Sequence, residues 1–368
     1  MEMNAADEFA LKMERIGNFI HKSDYDAVLF GTQHNFSWIT CGGDNQIIHG
    51  TELGFVNMLA TAEKLYLITN NIEMPRVTQE EAGSIETEKV EYLWTGGDVA
   101  DEVKKIVGNG DVASDFSFPG TMNEAEELSL LRVPLTQHEM DRYKKLAQMC
   151  AGALDKTMHE LKPGMTEYEI QGVIGGKLMA QGIYPVVLLV GTDERIFNFR
   201  HPMPTEKKLE KYCMVVICAQ RWGLILSMTR LVHFGTIPDA IVTRYDALHS
   251  VDMAYITASS VGASMKDVFH AGAAEYEKHG FKGEELKHYQ GGTGGYLTRE
   301  QGLHPQSEYV IQEGDVIAHN PTITGTKIED SILVKSDGFE VLTISESWPC
   351  REITYNGITL KRPDILVR

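Results

Sequence analysis

Along the first twenty positions apolar residues recur at helical spacing, with Phe9, Met13, Ile16, Phe19 and Ile20 on one face and charged residues between them. That stripe predicts an amphipathic helix. Two short apolar runs bounded by turn residues follow, Asp26-Ala-Val-Leu-Phe30-Gly and Lys64-Leu-Tyr-Leu-Ile-Thr69, and predict strands. Strand-like and helix-like segments alternate to about Pro119, the pattern of a small α/β domain. From Gly120 to Pro134 no period holds, and an irregular stretch is expected.

The pattern restarts at Thr136-Gln-His-Glu139. A hydroxyl and a carboxylate three residues apart predict a capping box, with Met140, Tyr143, Leu146, Cys150, Leu154 and Met158 as the apolar stripe behind it. Lys162-Pro-Gly ends that helix. Thr166…Glu169 opens a second, with Ile170, Val173, Ile174 and Leu178 inward, and Ser264…Asp267 opens a third. Strand-like runs lie between and after them at Val186–Val190, Met214–Ala219, Leu224–Met228, Val316–Ala318 and Ile328–Val334. This is an α+β layout, helices outside a curved antiparallel sheet. At about 150 residues per domain, 368 residues suggest two: a small α/β domain over 1–133 and a larger α+β domain over 134–368.

Charge narrows the partners. The net charge is −18 with no basic run, so nucleic acid and anionic membranes are excluded as partners. No apolar run is long enough to span a bilayer. The five cysteines are scattered without a CxxC pair, which reads as reduced thiols, and the acidic N-terminus lacks the layout of a secretion signal. A cytoplasmic protein is expected.

Single residues carry less. His201, after an irregular Phe197-Asn-Phe-Arg200 stretch, has a side chain able to take and return a proton, although a lone histidine is more often structural. Glu329 and Asp330 alternate on a strand-like run, where solvated carboxylates are ordinary. Arg299 and Glu300 follow a glycine-rich turn, where backbone can approach a ligand, yet an adjacent ion pair is usually a surface feature. Gly291–Gly295 lacks both the P-loop Lys-Ser/Thr and GxGxxG spacing, so a tight turn is expected there and no nucleotide. Cys218, within Val-Val-Ile-Cys-Ala, is more often a buried hydrophobe than a nucleophile. His233, His288, His304 and His319 share no metal-ligand spacing.

Taken together, the order of these pieces resembles the creatinase/prolidase/aminopeptidase P superfamily, the pita-bread hydrolases. Asp26–Phe30 with Asn35-Phe-Ser-Trp-Ile-Thr is similar to its N-terminal strand and turn. Lys162-Pro-Gly-Met-Thr-Glu167 is similar to the start of its catalytic domain, Arg200-His201-Pro-Met-Pro204 to its active-site histidine, and Ile328–Val334 to its C-terminal strand signature. The metallopeptidases of this family hold two metals with two Asp, one His and two Glu. The resemblance puts those positions at Cys218 or Val216, at Ser227, within Gly291–Gly295, at Asn320 and at Glu329, so one carboxylate remains. A two-metal centre needs more anionic oxygen than that.

Retention of the histidine without the ligands resembles the creatinase branch, as does Tyr296-Leu-Thr-Arg299-Glu300-Gln-Gly302-Leu303. The resemblance implies a hydrolase of a C–N bond in a small zwitterionic amino-acid derivative, with no metal and no cofactor. His201 would shuttle protons with Glu329. Arg299, Glu300, Asn320, Arg221, Arg230, Ser227 and Cys218 would be the substrate contacts. It also implies a homodimer with Trp38–Asp44 near the partner's site. The alternative is a metal-dependent Xaa-Pro peptidase, and further alternatives are a non-catalytic binding protein of this fold and a lyase on a similar substrate.

Overall fold

A computed structural model describes residues 5–368, which divide into two compact units: residues 5–138 with Trp222–Leu224, and Glu139–Arg221 with Ile225–Arg368. In the first unit, α1 (Ala5–Ser23) precedes a mixed six-stranded sheet. Its strands are β1 (Ala27–Thr32), β2 (Leu53–Thr61), β3 (Leu65–Asn70), β4 (Glu88–Tyr92), β5 (Val112–Ser114) and β6 (Met122–Asn123), in the order β4-β3-β2-β1-β5-β6. Helices α2 (Gln33–Ile39), α3 (Met74–Glu80) and α4 (Val99–Val107) connect them. Ala27, Leu29, Leu59, Ile68 and Val103 form the core of this unit.

Two expectations shift here. The deepest stripe of α1 is Glu8, Lys12, Ile16 and Ile20; Ile16 and Ile20 are as predicted, but in the first two turns Glu8 and Lys12 take the inner places and Phe9 and Met13 are only half-buried. The stripe tolerates two charges because the Lys12 ammonium lies 2.6 Å from Glu8 and 2.6 Å from the Trp38 carbonyl. The stretch expected to be irregular holds β6, a short helix α5 (Ala125–Ser129) and one 3₁₀ turn (Leu130–Arg132), elements too short to show a period.

The second unit opens with α6 (Gln137–Glu160) and α7 (Glu167–Met179). Thr166 caps α7: its hydroxyl accepts from the Glu169 amide, and the Glu169 carboxylate accepts from the Thr166 amide at 2.7 Å. Next come β7 (Tyr184–Thr192), a short helix α8 (Glu194–Asn198), β8 (Tyr212–Arg221) and β9 (Leu224–His233), then α9 (Asp239–Ala258) and α10 (Met265–Lys278). Strands β10 (Gly291–Gly294), β11 (Val316–His319), β12 (Thr322–Ile323), β13 (Thr326–Lys327), β14 (Asp330–Lys335) and β15 (Gly338–Val341) follow. The C-terminal strands are β16 (Cys350–Tyr355), β17 (Ile358–Pro363) and β18 (Leu366–Val367).

Two four-stranded sheets result, β18-β9-β8-β7 and β10-β11-β14-β15. They meet at a bridge between Thr229 and Glu329 and at a bond from the Ile225 amide to the Gly295 carbonyl, 2.8 Å. Helices packed on this mainly antiparallel framework, in which β18 alone runs parallel to its neighbour β9, give the expected α+β architecture. The sequence pattern missed α9, which is buried over most of its circumference and so shows no stripe; even His249 and Asp252 are inside, each with an arginine partner.

Candidate active site

Where the two sheets meet, the second unit encloses a cavity of about 460 Å³. Its floor comes from strand residues. β8 supplies Val216 and Cys218, the end of β11 supplies Asn320, and Lys327 and Glu329 project from the β13–β14 segment. Alternation puts residues i and i+2 of an extended chain on one face, so Lys327 and Glu329 enter together. Arg299 reaches in from the loop after β10, β7 contributes an apolar wall from Val186 to Leu189, and His201 closes one side from the loop after α8.

Glu329 is the electrostatic centre. It is only 2% exposed, and its oxygens accept from the Thr229 hydroxyl at 2.7 Å and from Arg299 Nη2 at 3.2 Å, with Lys327 Nζ 2.9 Å away. Burial alone would raise its pKa, but the two cations and the hydroxyl outweigh that and hold it down to about 2. Arg299 Nη1 also donates to Ser227 Oγ at 3.0 Å, and Ser227 in turn donates to Cys218 Sγ at 3.2 Å. The thiol is pushed up by burial and by the Glu329 charge, so Cys218 enters the cavity as a neutral S–H rather than a thiolate nucleophile.

The histidine stands at the opposite charge balance. His201 Nε2 lies 3.0 Å from His288 Nε2, the rings inclined at 64°. Burial and the Lys327 charge lower the proton affinity of both, against a smaller opposing pull from Glu329, and His288 falls to about 3. His201 is therefore neutral at neutral pH, with a lone pair available to accept a proton. The loop that carries it is anchored at both ends by Glu167. One oxygen of that buried carboxylate takes the Thr192 amide and hydroxyl and Arg195 Nε at 2.9, 3.0 and 3.0 Å. The other takes the Thr205 amide and hydroxyl at 2.9 and 2.7 Å.

Five of the residues expected at the site, His201, Cys218, Arg299, Asn320 and Glu329, share this cavity wall, with Ser227 one hydrogen bond behind. Three do not reach it. Arg230 is buried against Asp330 and the Thr343 carbonyl with Trp348 beneath it, as a structural ion pair. Glu300 accepts from the Tyr296 and Leu297 amides and closes its own loop. Arg221, at the end of β8, lies along Met149. Gly291–Gly294 form a paired strand instead of the expected tight turn. A Cβ at Gly291, whose φ is 137°, would lie 2.2 Å from the Ala318 carbonyl oxygen, so no larger side chain fits there. Lys327 and Thr229 were overlooked, although the spacing of Lys327 and Glu329 on one strand face was legible; nothing in the sequence pairs His288 with His201.

The sequence model of metallopeptidase family M24 matches residues 141–336, more than half of the chain. The chain belongs to that family. An uncharacterized peptidase of Staphylococcus aureus strain MW2 is 25% identical over 278 residues, which cover 65% of this chain and 79% of the relative. Among solved structures, a Bacillus anthracis Xaa-Pro dipeptidase superposes with a TM-score of 0.77 at 18% identity, covering 98% of this chain and 100% of that one. A Pyrococcus horikoshii prolidase gives 0.78 at 18% identity, over 91% of this chain and 98% of its own. These structures establish the pita-bread fold.

The M24 name implies bound metal, and the donor set of this M24 chain does not fit a two-metal centre. The positions that the resemblance assigns to ligands hold Val216 and Cys218, Ser227, the glycines, Asn320 and Glu329. Among the described residues no three His, Cys, Asp or Glu side chains are grouped to hold a metal ion. The single carboxylate is already engaged by Lys327, Arg299 and Thr229, and an ammonium beside it opposes a second cation.

Proposed function

We propose that this M24 chain hydrolyses the C–N bond of a small carboxylate-bearing peptide or N-substituted amino acid without a two-metal centre. The observation that carries the reading is the pairing of Lys327 and Arg299 on the lone carboxylate, Glu329. Two cations against one anion leave the cavity with one net positive charge amid apolar walls, the environment that selects a substrate carboxylate. Asn320 adds specificity. Its side-chain oxygen is buried without a hydrogen-bond partner, so a substrate N–H would satisfy it.

In the proposed reaction water attacks the carbonyl or amidine carbon while His201 accepts a water proton. The C–O bond forms, the C–N bond breaks, and the same proton passes from His201 to the leaving nitrogen. Arg299 and Lys327 hold the carboxylate, and Glu329 fixes both cations. The family membership and the solved structural neighbours, an Xaa-Pro dipeptidase and a prolidase, support peptide-like amides as the substrate class. The same names favour a second reading, a metal-dependent Xaa-Pro peptidase.

One assay separates the two. Purified protein is offered a panel of Xaa-Pro dipeptides, N-substituted amino acids and their C-terminal amides, with products followed by mass spectrometry before and after exhaustive chelation. The first reading expects hydrolysis of free carboxylates only, unchanged by chelator and abolished in a folded His201→Ala variant. Loss on chelation restored by Mn²⁺ would establish the second.

A further inference from the structure

His288 is absent from the roles assigned above, yet its ring is the one side chain hydrogen-bonded to His201 among the described residues. The protonation of the pair follows from its surroundings. His288 Nδ1 lies against the backbone carbonyl of Tyr289, which can only accept, so the hydrogen of His288 is on Nδ1. A neutral imidazole carries one N–H, and His288 is neutral because burial and Lys327 suppress its protonation. Its Nε2 is then a bare acceptor, and the 3.0 Å contact requires His201 Nε2 to donate.

We propose that His288 is a positioning residue that fixes His201 as the Nε2–H tautomer and so leaves His201 Nδ1 as the basic atom. This rests on the reading of His201 as the proton carrier, but the geometry can be tested without any substrate. Two nitrogens 3.0 Å apart can share a proton or a metal ion. The groups whose charge acts on the pair are Lys327 and Glu329. With the ammonium close and, among the described residues, no third His, Cys, Asp or Glu grouped with them, a proton is the shared species.

The test is ¹⁵N NMR of the imidazoles in the full-length, uniformly labelled protein at neutral pH. Expected are a ¹⁵N–¹⁵N coupling across the hydrogen bond from His201 Nε2 to His288 Nε2, an Nδ1–H tautomer for His288 and an unprotonated His201 Nδ1. In His288→Ala, exchange of the His201 Nε2–H with water is expected to speed up by at least about tenfold. His288→Gln, whose carbonyl can accept the same proton, is expected to restore most of the protection, which a merely structural role would not produce. An Nε2–H tautomer at His288, or His201 exchange unaffected by His288→Ala in a protein with an otherwise native spectrum, overturns the proposal. Addition of one equivalent of Zn²⁺ is expected to leave both Nε2 resonances in place; their joint shift to metal-bound values would overturn it as well. If the couplings appear while the dipeptide panel shows no turnover, the pairing stands and the catalytic reading falls.

Discussion

At the scale of the residue, the site is organised by which charges Glu329 keeps close. Lys327 does two things at once: it neutralises a buried carboxylate and it depresses the proton affinity of the neighbouring imidazoles. Lys327→Met removes a neighbouring positive charge that lowers His201, so the His201 titration is expected to move upward toward the ordinary histidine value. An NMR titration checks this, and an unchanged or lower midpoint contradicts it. Removing the anion instead, in Glu329→Leu, strands Lys327 and Arg299 beside each other, and destabilisation of about 3 kcal/mol or more is expected in chemical denaturation. That Glu329, Arg299 and Asn320 belong to one wall was legible only through the family resemblance, since an alternating strand face and an adjacent ion pair are ordinary surface features by themselves. Arg230 and Glu300 were misread because an ion pair and a loop closure use the same residue types as a binding site.

Elements explain why those side chains arrive together. The Lys327–Glu329 pair depends on extended backbone at the β13–β14 segment, pinned by the bridge to Thr229. The His201 loop has little regular structure of its own, and Glu167, at the first turn of α7, ties its two ends with five hydrogen bonds. Glu167→Ala is expected to cost about 3 kcal/mol and to speed amide exchange selectively across residues 192–205, as hydrogen-exchange mass spectrometry would show. A uniform loss of protection would mean that the carboxylate serves global stability instead. Helices with hydroxyl-carboxylate starts, such as α7 and α10, could be read from sequence because the cap is local chemistry. Helix α9 could not, because a helix buried nearly all round carries no periodic signal.

The whole molecule carries a net charge of −18, whereas Lys327 and Arg299 against Glu329 leave one surplus positive charge inside the cavity. Acid stability offers another global check. His249 and His319 are buried in the second unit and held neutral, with burial the main cause, at about 4 and about 3. Their proton affinity is lower folded than unfolded, so unfolding takes up protons as pH falls below the ordinary histidine value. Stability should drop by about 3 kcal/mol per pH unit near pH 5 from these two groups together. Glu329 acts in the same direction only lower down, between the ordinary carboxylate range and about 2. Urea titrations between pH 7 and 4.5 test this, and a flat midpoint contradicts the buried neutral histidines.

Two side-chain cations, Lys327 and Arg299, hold the cavity carboxylate Glu329 in this M24 chain, and the proposed chemistry requires that no two-metal centre displace them. Calorimetric titration of chelator-treated protein with Mn²⁺ tests it most directly. No stoichiometric binding is expected in the wild type; uptake of two equivalents that disappears in Glu329→Gln would contradict the proposed metal-free site.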